Sequence, residues 1–178
     1  MDGVFAMQPF YARGGFQFSH RNLRMQGVGV AARGDAGLEA LSELPFEWVE
    51  ALDRHCFGFA RPSFLEAWIA PRHGLAVGRV KGDRLLGMGV IRRCLSGYKV
   101  GPLFAMDSET AELIFRSLSA HASNEPLFLD VPECNLEGMA LAARHGMTEV
   151  FGCARMYHGP APALPWQKIY GVTTFELG

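Results

Sequence analysis

The chain has 178 residues, and its 17 Lys and Arg against 18 Asp and Glu give a net charge of −1. Apolar residues make up 49% and charged residues 20% of the sequence, a balance typical of globular rather than disordered proteins. The balanced charge disfavours a nucleic-acid partner, and the apolar runs are too short to span a membrane. Because the sequence also lacks a signal-peptide pattern, we expect a cytoplasmic, soluble protein with one full domain and part of a second.

The first part of the chain contains a short helix, a strand and a linker. Residues 4–13 are predicted to end a helix, and alternating phenylalanines after Gly15 begin a strand. Residues 27–37 are small and rich in glycine, which is the composition of a flexible linker. The predicted division of the chain is residues 1–30, a linker at 31–44 and a second unit at 45–178.

Two helices and three strands follow the linker. Apolar residues recur every three or four positions from Phe46 to Cys56, which predicts a helix that Gly58 ends. Pro62 is well placed as the first residue of a second, shorter helix. Apolar segments separated by turn residues then predict three strands, at 75–80, 85–91 and 98–104.

The last part of the chain alternates helices and strands. Residues 107–122 carry apolar side chains on one helical face, with acidic residues at the start. A short apolar strand is predicted at 126–131, and Asn135 is placed to cap a helix that ends before Gly146. A proline-rich segment separates two final predicted strands, at 147–157 and 169–177.

The element order predicts an α/β fold of the α+β type. The strand at 98–104, the helix at 107–122 and the strand at 126–131 form a βαβ unit, whose two strands run parallel. The earlier strands are joined by tight turns and run antiparallel. We therefore expect a mixed sheet with antiparallel front strands, a central parallel pair and flanking helices.

The cysteine and histidine positions predict no metal site. The four cysteines and six histidines are scattered, and no CxxC, HExxH, GxSxG or P-loop pattern occurs. Cys134 is the thiol that follows the strand at 126–131, and its simplest role is that of a small, inert side chain. The cysteines are therefore expected to be reduced thiols without a metal.

A motif near the C-terminus resembles one of the GNAT N-acetyltransferase superfamily. The family pattern N-x-x-A-x-x-L-Y-x-x-x-G-F is similar to the stretch NLEGMALAARHGM at 135–147. The stretches DRHCFGFARPSFLEAW and YGVTTFELG look like the C-terminal GNAT-like domain of bacterial tandem-GNAT proteins. The resemblance covers residues 45–178 and implies a fold in which two central parallel strands separate to hold acyl-CoA between them.

A second, shorter match lies at the start of the chain. The stretch MQPFYARGGFQF fits the L-Y-x-x-x-G-F part of the same pattern, with Phe10, Tyr11, Gly15 and Phe16 in place. The following HRNLRMQG is similar to a last strand of the same fold. Residues 1–30 thus resemble the tail of a first GNAT domain whose front is missing.

The resemblance implies acetyl-CoA or CoA as co-substrate, an amine of a small molecule or a protein as acceptor, and a set of site residues. It places Tyr11 as general acid, although Tyr11 also fits an ordinary aromatic residue at a helix end. The resemblance implies acyl-CoA contacts for Gly101, Pro102, Leu103, Phe104 and Asn135. A role as helix cap explains Asn135 equally well. The pair Gly101-Pro102 equally fits a break in an edge strand. The implied substrate loop contributes Phe57, Phe59 and Arg61, and Arg61 is either an anion ligand or a surface residue at a helix start.

Two departures from the family pattern bear on catalysis. The family holds the pyrophosphate with [QR]-x-x-G-x-[GA], but residues 104–111 read FAMDSETA, with Asp107 and Glu109 at the glycine positions. The usual Tyr acid is replaced by Ala142. The hypotheses are therefore an N-acetyltransferase, or the C-terminal part of one, and a non-catalytic GNAT-like domain that binds a ligand, completes a partner's pocket or mediates dimerisation.

Exposed aromatic residues indicate a second copy of the chain as partner. Residues 1–30 would expose Phe5, Phe10, Phe16 and Phe18 unless these side chains are covered. We therefore expect a homodimer with residues 1–30 near the interface.

Overall fold

One mixed sheet of nine strands organises the protein, whose computed structural model describes residues 1–31 and 37–175. The strands in chain order are β1 Asp2–Gly3, β2 Phe16–Val28, β3 Leu38–Ala40, β4 Gly74–Lys81, β5 Arg84–Arg93, β6 Tyr98–Ala105, β7 Pro126–Pro132, β8 Thr148–His158 and β9 Ile169–Gly171. The helices are α1 Gln8–Arg13, α2 Phe46–Phe57, α3 Pro62–Trp68, α4 Ser108–His121 and α5 Leu136–Arg144. The sheet order is β1-β8-β2-β7-β6-β5-β4-β3, and β9 pairs with β6.

The predicted helices are confirmed, and their ends have local causes. Helix α2 ends at Gly58, whose φ of 104° lies in the left-handed region that glycine adopts without a steric cost. Helix α4 begins at Asp107, whose side chain accepts a hydrogen bond from the Thr110 amide. Asn135 caps α5 in the same way by accepting from the Gly138 amide.

The front of the sheet is antiparallel, as predicted. Strands β3 to β6 pair in order, each antiparallel to the next. Helix α4 then crosses the sheet and returns the chain to β7, which pairs with β6 in parallel. The fold is therefore the predicted mixed sheet with a central βαβ unit.

The N-terminal strand β2 lies inside the same sheet as the rest of the chain. It pairs antiparallel with β7 along one edge and with β8 along the other. Leu38–Ala40, within the segment predicted as a linker, pairs with β4, and residues 32–36 fall outside the described part of the chain. The division of the chain at 31–44 stays a prediction, but the sheet continues on both sides of it.

Two hydrophobic cores cover the two faces of the sheet. On one face, α4 and α5 contribute buried side chains such as Ile114, Phe115 and Leu141, which pack with residues of β6 and β7. On the other face, α2 and α3 pack against β5 and β6, and Trp48 and Trp68 are partly buried against this second core. Among the described residues, no helix is long and apolar enough to cross a membrane.

Candidate functional site

The central parallel strands separate soon after they pair. Their register has three pairs, from Tyr98 opposite Leu127 to Val100 opposite Leu129. Beyond that point β6 pairs with β9 instead, in antiparallel register, with Leu103 opposite Gly171. The splayed strands that the resemblance implies are present, and the gap between them contains backbone from the end of the chain.

Residues 169–175 form this backbone and contact both sides of the gap, and we name them the closing segment. On the β7 side, the Val172 amide donates to the Asp130 carbonyl oxygen at 2.9 Å. At the start of α5, the Asn135 side-chain amide donates to the Ile169 carbonyl oxygen at 3.0 Å. The closing segment is thus hydrogen-bonded to β6, to β7 and to the cap of α5.

The closing segment also approaches the neighbouring backbone very closely. A β-carbon at Gly101 would overlap the carbonyl oxygen of Thr173, and one at Gly171 would lie 2.6 Å from a methyl group of Leu129. At Gly101 the clash is with backbone and glycine is required, whereas at Gly171 the Leu129 side chain could shift. Gly101 and Gly171 therefore allow the segment to fill the gap without intervening side chains.

A buried ion pair holds the closing segment from the α2–α3 side. The Arg61 guanidinium donates to both carboxylate oxygens of Asp53, at 2.7 and 2.8 Å, and to the Thr173 hydroxyl at 2.9 Å. The Asp53 and Arg61 side chains are only 1% and 9% exposed. Arg61 also lies 3.5 Å above the centre of the Phe57 ring, a cation–π contact. Arg61 is therefore committed to the internal structure.

A second charged cluster lies at the end of the segment. The fully buried Asp130 carboxylate pairs with Arg24 at 2.7 Å and with the Lys99 ammonium group. The Phe175 ring covers both cations, with its centre 4.7 Å from the Arg24 guanidinium and 5.3 Å from the Lys99 nitrogen. The Phe175 side chain of the closing segment therefore packs on this charged cluster.

Acidic side chains occupy the start of α4, where the family pattern requires a phosphate-binding loop. Asp107 accepts from the Thr110 amide at 2.7 Å, and Glu109 pairs with Arg79 at 2.8 Å. Burial acts to raise the pKa of Asp107, but the Thr110 hydrogen bonds and Arg79 outweigh it and hold the pKa below its usual range. The carboxylate is ionised at neutral pH and would repel a pyrophosphate.

The gap as built does not fit acyl-CoA. An acyl-CoA between β6 and β7 would need the space and the strand edge that the closing segment uses. Its pyrophosphate would also meet two carboxylates at the start of α4. The five residues implied as acyl-CoA contacts lie along β6 and at the cap of α5, next to the closing segment, and their cofactor role stays a prediction.

An aromatic pocket of about 270 Å³ lies on the α2 side of the closing segment. Its lining residues are Cys56, Phe57, Gly58, Phe59, Phe104, Arg155, Tyr157, Pro162, Leu164, Trp166, Ile169, Val172 and Thr173. The loop after α2 forms one wall, the proline-rich segment forms another, and the closing segment forms a third. The pocket is concave, largely apolar and of a size suited to a small molecule.

Two polar side chains of the pocket, Arg155 and Tyr157, come from β8. Arg155 pairs with Asp2 at 2.7 Å and lies 5.6 Å from the centre of the Tyr157 ring. Burial raises the pKa of Tyr157, and nearby Arg155 offsets part of this effect. Burial likewise raises the pKa of the Cys56 thiol to about 12, so Cys56 is protonated at neutral pH. The pocket therefore offers a cation, a phenol and a neutral thiol among aromatic rings.

The structure brings together only part of the predicted site. Phe57 and Phe59 both line the pocket, with their ring centres 4.7 Å apart, although their role in substrate binding stays a prediction. Arg61 lies behind Phe57 in the ion pair with Asp53. Tyr11 lies outside the pocket lining and packs against Gly3 of β1, and its catalytic role likewise stays a prediction.

Sequence reasoning missed the pocket residues of β8 and of the proline-rich segment. Arg155 and Tyr157 are two residues apart on a predicted strand, so they share one face of it, and this spacing was an available signal. Asp53 lies among the apolar positions of α2, where an acidic residue indicates a buried partner. Trp166 offered no such signal, because the loop that carries it has no periodicity.

Metal binding has no support in the described ranges, 1–31 and 37–175. No three His, Cys, Asp or Glu side chains within them lie close enough to hold a metal ion. Cys56 and Cys153 are buried and Cys134 is exposed, and all are free thiols.

A relative with an assigned activity matches along the full length of the chain. The holothin acyltransferase of Pseudoalteromonas sp. (strain SANK 73390) is 26% identical over 182 residues, which cover 100% of this chain and 61% of that protein. The chain therefore spans about three fifths of the relative's length.

Solved structures share the fold. A Pyrococcus horikoshii protein, provisionally assigned as an acetyltransferase, superposes with a TM-score of 0.82 at 23% identity, over 98% of this chain and 58% of that one. A protein of Novosphingobium aromaticivorans, provisionally assigned to the GNAT acetyltransferases, gives a TM-score of 0.57 at 19% identity, over 79% and 65% of the two chains. The profile of the family "Acetyltransferase (GNAT) domain" matches residues 49–171, more than half of the sequence. The chain therefore belongs to the GNAT acetyltransferase domain family.

Proposed function

We propose that this chain contributes to an N-acyltransferase by binding the acceptor, a small molecule with an amine group, in the aromatic pocket. The observation that carries the proposal is the pocket itself, which opens beside the splayed strands of a GNAT fold. Support comes from the family match and from the acyltransferase activity named for the holothin relative. Members of this family use acetyl-CoA as the acyl donor, and the donor in this protein remains part of the proposal.

The pocket residues suggest how an acceptor would be held. Phe57, Phe59 and Trp166 present flat apolar surfaces that suit an aromatic or unsaturated ring. Arg155 lies beside them and can donate a hydrogen bond to a carbonyl or carboxylate of the same molecule. The chain's own residues would thus orient the acceptor by stacking at one end and by a charge-assisted hydrogen bond at the other.

The structure favours a binding role over catalysis by this domain. Ala142, at the position of the family's Tyr acid, lies on the buried face of α5. The acidic start of α4 and the filled gap remove the features that an acyl donor requires. A non-catalytic GNAT-like domain within an acyltransferase is therefore the form of the function we propose.

Fluorescence titration tests the proposal, because Trp166 lines the pocket and reports on its occupancy. The probes are holothin, 2-phenylethylamine and acetate, the last as a ligand without an amine or ring. We expect holothin or 2-phenylethylamine to quench fluorescence saturably. Phe59→Ala should raise the dissociation constant about fivefold, since one aromatic contact contributes on the order of 1 kcal/mol.

Leu95→Ala is the matched control, because Leu95 is a fully exposed apolar side chain outside the pocket lining. It should leave the dissociation constant unchanged. Absence of saturable quenching by both amine-type probes, or equal affinity in Phe59→Ala and Leu95→Ala, would overturn the proposal.

A further inference from the structure

We propose that the closing segment is a built-in substitute for acyl-CoA, so that the gap between β6 and β7 never takes an acyl donor in this domain. The inference concerns the gap and not the pocket, and it does not depend on which acceptor the pocket binds. It replaces the expectation that Gly101, Pro102, Leu103, Phe104 and Asn135 contact acyl-CoA.

The closing segment already uses the free edge of β6. An extended ligand in the gap of a splayed sheet must satisfy the free edge of β6, as an added strand does. Here β9 already pairs with that edge at Leu103 and Phe104, and Trp68 donates to the Gly101 carbonyl oxygen at 3.0 Å. Across the gap, the Asp130 carbonyl oxygen accepts from the Val172 amide. The hydrogen-bonding groups of the gap are therefore used within the chain.

Most side chains of the closing segment are buried. Ile169, Tyr170, Val172 and Phe175 are each less than 10% exposed, and Thr173 is 1% exposed. Withdrawing the segment would expose these side chains to water and would remove the Phe175 ring from Lys99 and Arg24. A lid that opens to admit a ligand has few buried apolar contacts, whereas this segment belongs to the core.

The start of α4 is negatively charged beside the gap. A gap emptied of the closing segment would still present Asp107 and Glu109 at the start of α4. Asp107 also accepts a hydrogen bond from the Thr110 amide. A pyrophosphate at this helix start would need that amide as a donor. The acidic residues at the start of α4 and the closing segment belong to separate parts of the chain, and both disfavour acyl-CoA in the gap.

The closing segment also forms a wall between the pocket and the gap. Ile169, Val172 and Thr173 line the pocket with one side of the closing segment, while the backbone of the segment fills the gap. A molecule bound among Phe57, Phe59 and Trp166 is thus separated from any acyl group on the far side. This domain would bind its ligand without acylating it from its own gap.

Hydrogen exchange of the full chain tests the inference directly. Amides of residues 169–172 should exchange at least about 10³-fold more slowly than in an unstructured peptide, as amides of core strands do. Addition of about 1 mM acetyl-CoA should leave their exchange unchanged, because the closing segment keeps its hydrogen bonds in the gap. Unprotected amides, or faster exchange of 169–175 on saturable acetyl-CoA binding, would overturn the inference.

Two matched substitutions separate a local effect on the closing segment from a general loss of stability. Thr173→Val removes the hydroxyl that accepts from Arg61 and should speed exchange of residues 172–175 about fivefold, the effect of one hydrogen bond. Thr148→Val, at an exposed position of β8, is the matched control. Calorimetric titration with acetyl-CoA should detect no binding to the gap in either variant, and a saturable signal gained only by Thr173→Val would contradict the inference. Acceptor affinity is measured separately by fluorescence, so failure of this inference and failure of the proposed function are distinguishable.

Discussion

Arg61 shows how neighbouring residues can hold a charged side chain inside the protein, and its predicted role in substrate binding stays a prediction. The resemblance placed it in a substrate loop, but Asp53 and Thr173 hold its guanidinium inside the protein. A planar guanidinium suits this position because it pairs with a carboxylate through two parallel hydrogen bonds and still stacks on Phe57. Arg61 thereby connects α2, the loop before α3 and the closing segment.

Removing the Asp53 carboxylate should be costly. Asp53→Ala leaves the buried Arg61 charge without its ion-pair partner, and breaking such a pair destabilises a protein by about 3–5 kcal/mol. The control is Glu133→Gln, at the partly exposed pair with Arg21, where we expect at most about 1 kcal/mol. Urea unfolding measures both. Equal losses in the two variants would show that the Asp53–Arg61 pair contributes no more than a surface contact.

His20 lies beside the aromatic pocket and gives a pH prediction. It is 6% exposed, with its ring 4.4 Å from that of Trp166, and burial followed by the Arg155 charge lowers its pKa below the ordinary 6.5. The unfolded chain therefore binds a proton at a higher pH than the folded one. The contribution of His20 to stability should fall as the pH drops below 6.5 and level off below the lowered pKa.

Urea midpoints at about pH 7.5 and about pH 5.5 measure this effect. The wild-type protein should lose more stability between these values than His20→Gln, which cannot take up the proton. The same loss in both proteins would mean that His20 is not responsible, and a smaller loss in the wild type would mean that its pKa is raised.

At the scale of elements, the order of helices and strands from α2 onward could be predicted, but β1, β3 and the pairings of β2 and β9 could not. Periodic apolar positions identified α2 and α4, and cap residues identified the starts of α4 and α5, because these signals are local. Strands β2 and β9 were predicted as strands without their partners. Pairing depends on contacts between distant parts of the chain, such as Val172 with Asp130, which no local pattern encodes.

The gap contact at Gly101 gives a prediction at this scale. Gly101→Ala would place a methyl group against the carbonyl oxygen of Thr173, so β6 and the closing segment would have to move apart. Overpacking of this kind costs about 1–3 kcal/mol of unfolding free energy. Ser96→Ala, at an exposed position in the turn before β6, should have little effect. A Gly101→Ala protein as stable as the wild type would show that the segment does not fill the gap.

At the scale of the whole molecule, the exposed N-terminal aromatic residues suggest self-association. Phe10 and Phe18 are 57% and 51% exposed, and Val4 and Met7 are also exposed on the same part of the chain. Apolar surface of this kind favours burial against a partner. We propose a second copy of the chain as that partner, with residues 1–30 at the interface.

Light scattering after size-exclusion chromatography tests the dimer at micromolar concentration. The wild-type chain should have the mass of a dimer, and Phe10→Ser combined with Phe18→Ser should shift it towards the monomer. Leu95→Ser, which removes an equally exposed apolar side chain elsewhere, should remain a dimer. A monomeric wild-type protein would rule out the proposed association.

For the whole molecule, we propose a GNAT domain that keeps an acceptor pocket and closes its acyl-donor gap with its own chain. Family membership followed from motifs, whereas the closure required the structure, because residues 169–177 gave the pattern of an ordinary strand. The departures at Asp107, Glu109 and Ala142 were visible in the sequence and agree with the closed gap.

Thermal unfolding of the full chain with and without saturating acetyl-CoA tests this account most directly. A ligand at 100 times its dissociation constant adds about 2.7 kcal/mol to the stability of the state that binds it, which for a domain of this size raises the Tm by several degrees. The account predicts that the Tm does not change with acetyl-CoA. A rise of several degrees that saturates with acetyl-CoA, and that is absent with the acetate control, would contradict it.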